Sequence, residues 1–257
     1  TAMSNPSDIT GGKGGGNWLN RLAADRPDIA LIAPLAVYLA LLALRDTVLP
    51  YEHRWLANLI RGAGGLWVVW LLRRHMPPWG RSHWPLALVM GVVLAAGWYY
   101  GQYLFNYLGV PQRIPLPLFS GDPEPVDPRD RLGDGGLFWS TVLTRIVVAT
   151  STVAVVEELF WRAFLLRALV DWHKFEKVPL GTFTWRSFLI TALLSTLEHP
   201  DNWAVSIPCW FAFNALMYWK KSVLFLVFVH GFTNLFLYVW VILNTVYRDD
   251  QSAWMFW

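Results

Sequence analysis

Val155-Val156-Glu157-Glu158-Leu159-Phe160-Trp161-Arg162 sits inside an apolar run that extends from Ser140 to Leu169. Glu157, Glu158 and Arg162, close together inside a stretch long enough to cross a bilayer, decide the fold class and direct the search for function. An ionised side chain at bilayer depth costs at least about 2.5 kcal/mol, so such groups pair with one another or line a functional cavity. Two further apolar runs are interrupted in the same way, one by Glu198-His199 and the other by His230-Gly231-Phe232-Thr233-Asn234.

The bulk composition agrees with a membrane protein. Hydrophobic residues make up 55% of the chain, mean hydropathy is +0.35 and charged residues are 15%, where a soluble domain carries about 25% charged residues. Many aromatics stand near the ends of apolar runs (Trp55, Trp84, Trp139, Trp172, Trp185, Trp203, Trp219), as interfacial belts do. The single Cys209 excludes an intrachain disulfide and any multi-cysteine metal cage. A net charge of +3 gives no reason to expect nucleic acid as a partner.

Five runs have the length of about 17 to 25 residues that a hydrocarbon core requires. They are 29–49, 55–72, 84–105, 203–219 and 223–243; Arg61 interrupts the second and has to snorkel or pair. A sixth, unusually long run opens at Leu137 and ends near Val170, and a shorter one covers 188–197. The expectation is an all-α polytopic bundle of about seven spans, with an eighth helical piece if the long run breaks. Residues 1–27 read as an expression remnant and a flexible Gly-rich segment, 28–110 as the first three spans and 111–136 as a Pro, Gly and Asp-rich loop. Within that loop, 114–119 is expected to touch the membrane surface. Residues 137–247 hold the four spans with the polar motifs, and 248–257 form a tail. No cleavable signal peptide is evident, so the first span is expected to act as an anchor. With the N-terminus inside, twelve Lys and Arg fall on inner segments and six on outer ones, the bias of a cytoplasmic-membrane protein.

At about 1.5 Å per helical residue, Glu157 and His199 lie roughly 20 Å from the inner boundary, Asn234 about 18 Å and His230 about 12 Å. Four polar positions from three helices thus fall in one slab, beneath a cavity expected to open on the outer side at Pro200-Asp201-Asn202. Glu158 and Arg162 are four apart and face one another as an ion pair. Glu157, rotated about 100° away, is left to face the cavity. His230 and Asn234, also four apart, project from one face.

Glu157-Glu158-x-x-x-Arg162, a later His199 at a helix end and His230-x-x-x-Asn234 resemble the CPBP family of intramembrane proteases, which includes the CAAX prenyl endopeptidases and the bacteriocin-processing, Abi-like homologues. The likeness covers about 137–243. It implies that Glu157 and His199 activate a water, that His230 and Asn234 stabilise the oxyanion, and that Glu158 with Arg162 fixes the geometry. Ser195 stands where the family has a Phe four residues before the His, which alters a packing contact beside His199. Glu198 is assigned a structural or access role.

The expected function is therefore a metal-independent endopeptidase without a cofactor, acting near the C-terminus of a membrane-anchored protein or peptide, prenylated or not. Two other readings stay open. Glu157, His199 and His230 could ligate zinc, although no His-Glu-x-x-His pair is present. The polar layer could also serve a non-enzymatic binding or transport protein.

Overall fold

A computed structural model describes residues 18–114 and 126–257, and among these all regular structure is helical. The helices are α1 (Trp18–Asp25), α2 (Pro27–Val48), α3 (Arg54–Leu72), α4 (Trp84–Tyr107), α5 (Arg129–Leu132), α6 (Gly136–Ala168), α7 (Trp185–Ser195), α8 (Trp203–Lys220) and α9 (Val223–Tyr247). A 3₁₀ turn over Gln251–Phe256 closes the chain. Helices stand at all seven expected places, and α2, α3, α4, α6 and α9 are long and apolar enough to cross a membrane.

The exceptions have physical reasons. α7 has 11 residues, about 16 Å of helix, which spans only half of a hydrocarbon core of about 30 Å. α8 is long enough, but Pro208, Asn214 and Lys220 dilute its apolar character. Asn214 is fully buried and donates from Nδ2 to the Phe188 carbonyl at 2.9 Å, fastening α8 to α7. α6 runs on as one long helix and so does not supply an eighth piece. The segment set aside at the N-terminus is helical from Trp18, with Ala23 buried. The expected loop carries α5, and its stretch 115–125, which holds most of the expected surface contact, lies outside the described residues. The tail folds back, burying Trp254 and Phe256.

Local sequence explains the helix limits that matter for the site. Thr184 caps α7 by accepting from the Ser187 amide at 3.0 Å. Pro200 disfavours helical geometry at the residue before it, and His199 accordingly takes φ −127° and ψ 59°. Ser222 caps α9, accepting from the Phe225 amide at 3.2 Å.

α4 lies along α9, α2 and α6 flank α3, and α9 crosses the middle of α6. Small residues permit these approaches, as they do between membrane helices generally. A Cβ on Gly231 would stand 2.6 Å from the Thr150 carbonyl oxygen of α6. Gly231→Ala must therefore push α9 off α6 beside His230. The expected result is a loss of about 1–3 kcal/mol from overpacking, read as a lower unfolding midpoint in detergent, together with reduced activity.

Candidate active site

α6 is not uniform where it meets the other motifs. Wide π turns over Ala149–Val153 and Leu159–Leu165 bracket the ordinary helical stretch Ala154–Glu158. Such bulges rearrange the backbone hydrogen bonds and re-aim side chains, and they are frequent at functional sites. The Ala149 carbonyl, at the start of the first wide turn, accepts from Asn234 Nδ2 at 2.9 Å. This side-chain bond is one of the contacts that fix the register of α9 against α6.

Glu158 is the hub below the cavity. It is fully buried, and its Oε1 accepts from Arg162 Nη1 at 3.3 Å and lies 2.9 Å from His230 Nδ1. The guanidinium of Arg162, also fully buried, lies 4.9 Å from the Trp210 ring centre and 5.2 Å from that of Phe213. The i to i+4 pairing expected from the sequence is present; the contact to His230, 72 positions away, is the addition. With Nδ1 directed at a carboxylate, the other ring nitrogen points onward: His230 Nε2 is 3.9 Å from Glu157 Oε2.

Glu157 faces the other way, as its rotation from Glu158 requires. It lines the cavity with 7% of its surface exposed. Its carboxyl hydrogen-bonds to that of Glu198, which is anchored in turn by Trp161, whose indole Nε1 donates to Glu198 Oε2 at 2.7 Å. Glu198 therefore belongs to the site more closely than its assigned role implied. The signal was present in its adjacency to His199 just before Pro200, a turn that aims both side chains into the same space.

His199 is held by rings. Trp98 lies edge-on at 5.0 Å between centres and Trp210 at 5.6 Å. Ser195 is buried and satisfied by the Thr191 carbonyl at 2.7 Å. The aromatic contact that a Phe at position 195 would make is thus supplied from α4 and α8. The turn itself is strapped from outside: Ile114 N donates to the Pro200 carbonyl at 2.8 Å, Trp203 Nε1 to the Pro111 carbonyl at 3.0 Å, and Arg113 pairs with Asp201 at 2.5 Å.

Glu157, His199, His230 and Asn234 all line one cavity of about 640 Å³. It runs to the end of the bundle that holds the α2–α3 turn, the loop before α6 and the C-terminus, with Tyr51, Gln112 and Trp257 in its wall. All four residues singled out in the sequence are therefore together, with Glu158 and Arg162 packed behind them. Among the described residues no three His, Cys, Asp or Glu side chains form a metal-binding group. Sequence reasoning gave Glu198 a structural or access role and marked Arg61 only as a charge in an apolar run; it did not bring Tyr38 or the other arginines of the cavity wall to the site, since they are far apart in the chain and share no motif.

Neither a curated protein nor a solved structure matches the chain. Residues 139–236, which supply every member of this cluster from α6 to α9, match the family model of the type II CAAX prenyl endopeptidase Rce1-like proteins, and over that stretch the chain carries an Rce1-like domain.

Proposed function

We propose that this protein is an intramembrane endopeptidase of the glutamate type, hydrolysing a peptide bond near the C-terminus of a membrane-associated or lipidated substrate. The observation that carries the reading is the convergence of Glu157, His199, His230 and Asn234 on one cavity over a buried Glu158–Arg162 pair. The match to the Rce1-like domain supports it.

In this mechanism Glu157 takes a proton from a water that His199 orients, and the resulting hydroxide adds to the scissile carbonyl carbon. The negative charge moves to the carbonyl oxygen, where His230 Nε2 and the second N–H of the Asn234 amide receive it. For Nε2 to donate while Nδ1 is bonded to Glu158, the ring carries both protons, a form that the Glu158 carboxylate stabilises. When the tetrahedral intermediate collapses, the carbon–nitrogen bond breaks and Glu157 returns its proton to the leaving amine. Glu198, hydrogen-bonded to Glu157, holds the general base in place.

No metal enters these steps. The test is cleavage of quenched lipid-anchored peptides, prenylated and unprenylated, by purified protein with and without a strong chelator. Cleavage is expected to survive exhaustive chelation and to be lost in His199→Ala. Loss on chelation, restored by zinc, would overturn the glutamate mechanism in favour of a zinc peptidase. The charge bias of the loops supports placement in the bacterial cytoplasmic membrane with the N-terminus inside and the cavity opening outward.

A further inference from the structure

Five arginines line the cavity, Arg45, Arg54, Arg61, Arg131 and Arg145, against three acids, Glu157, Glu198 and Asp201. Asp201 is paired with Arg113, and Glu157 and Glu198 bond to each other. Arg61 and Arg145 stand among these arginines in the wall of the cavity. Arg61 is only 7% exposed. Among the described residues neither Arg61 nor Arg145 forms an ion pair, and the Nε of each is buried without a hydrogen-bond partner.

Aromatic rings prop these side chains. The Arg61 guanidinium carbon lies 5.3 Å from the Tyr38 ring centre, and that of Arg145 lies 4.7 Å from Trp257 and 5.4 Å from Tyr238. Stacking against a ring engages the face of a guanidinium and leaves its edge, the side that grips a carboxylate with two parallel bonds. Tyr38 and Glu157 line this cavity too, so the arginines and the general base face one space. Two guanidiniums on one cavity wall repel each other, and an anion between them relieves that repulsion.

We propose that Arg61 and Arg145 form an anion subsite that takes a carboxylate of the peptide substrate and thereby sets the scissile bond against Glu157. This rests on the peptidase reading above. Position favours a peptide over a lipid head group. Arg61 and Arg145 line the same cavity as Glu157, and a chain threading through that cavity toward Glu157 passes both. The carboxylate is either the substrate's C-terminal one or an acidic side chain close to the cut.

The test is binding, so that it does not depend on turnover. A short fluorescent lipid-anchored peptide is prepared with a free C-terminus, as the C-terminal amide, and with its internal Glu changed to Gln. Anisotropy is measured in detergent on the Glu157→Gln protein, alone and combined with Arg61→Gln or Arg145→Gln. One of the two neutralised peptides is expected to bind about tenfold more weakly than the acid form, as charge-assisted bonds to arginine imply. Which one it is identifies the source of the carboxylate, and either arginine substitution should erase the difference.

Equal binding of all forms, or no binding of any at millimolar peptide, overturns the subsite and leaves water as the partner of the guanidiniums. A difference that survives both substitutions overturns it too, as does competition by anionic lipid with no effect of peptide charge. Should Arg61→Gln fail to fold, Arg145→Gln carries the same test. Carboxylate-dependent binding by a protein that cleaves nothing would sink the peptidase reading and spare the subsite. Cleavage indifferent to substrate charge would do the reverse.

Discussion

Glu157→Gln is expected to lower kcat on the order of 10³-fold, the scale of a lost general base, while leaving the fold and KM nearly unchanged. The amide has the shape of the carboxyl and can still bond to Glu198, so the cavity wall keeps its form. Glu157 Oε2 is buried without a hydrogen-bond partner among the described residues and faces His230 Nε2 at 3.9 Å. Removing a charge from such a position relieves desolvation, so the unfolding midpoint should stay level or rise. Initial rates on a quenched lipid-anchored peptide, beside thermal unfolding in the same detergent, separate the two effects. Glu198→Gln should lose less, because Glu198 acts through Glu157. A Glu157→Gln protein keeping more than about a tenth of wild-type kcat would exclude Glu157 as the base, and an equal loss in Glu198→Gln would move that role onto the pair.

The site was legible in the sequence because membrane burial makes polar residues conspicuous. Glu157, Glu158, Arg162, His230 and Asn234 stand out against apolar neighbours, and helical periodicity then assigns their faces. It correctly turned Glu158 toward Arg162 and Glu157 away from it. Periodicity within one helix does not say which residue of another helix arrives opposite, and so the Glu158–His230 contact stayed hidden. Hydropathy found all seven helices, α7 among them as a short run, yet it could not show the strap from residues 111–114 that holds the turn after α7. Arg61 was visible as an anomaly in its run, but its meaning depends on Arg145, 84 positions later, and on a shared cavity wall.

The largest effect on stability is expected from Arg162→Met. Glu158 and Arg162 are both fully buried, and Trp210 and Phe213 leave no path for water to replace the guanidinium. Taking away the guanidinium strands the Glu158 carboxylate in an apolar layer with His230 as its one remaining partner among the described residues, which costs up to about 3–5 kcal/mol. The unfolding midpoint in detergent should fall sharply and the yield of folded protein with it. Converting Glu158 to Gln in the same chain removes the stranded charge, and a neutral pair of similar volume often matches or exceeds the ion pair it replaces. Glu158→Gln/Arg162→Met is therefore expected to regain most of the stability. Its activity should not return, because His230 Nδ1 then faces an amide oxygen in place of a carboxylate, and the doubly protonated ring that the oxyanion requires loses its support. Stability and turnover measured on the single and double variants thus distinguish two roles of one pair. Recovery of both in the double variant would reduce Glu158 and Arg162 to a structural clasp. Recovery of stability alone assigns Glu158 the positioning of His230, through a contact that joins α6 to α9 at the floor of the cavity.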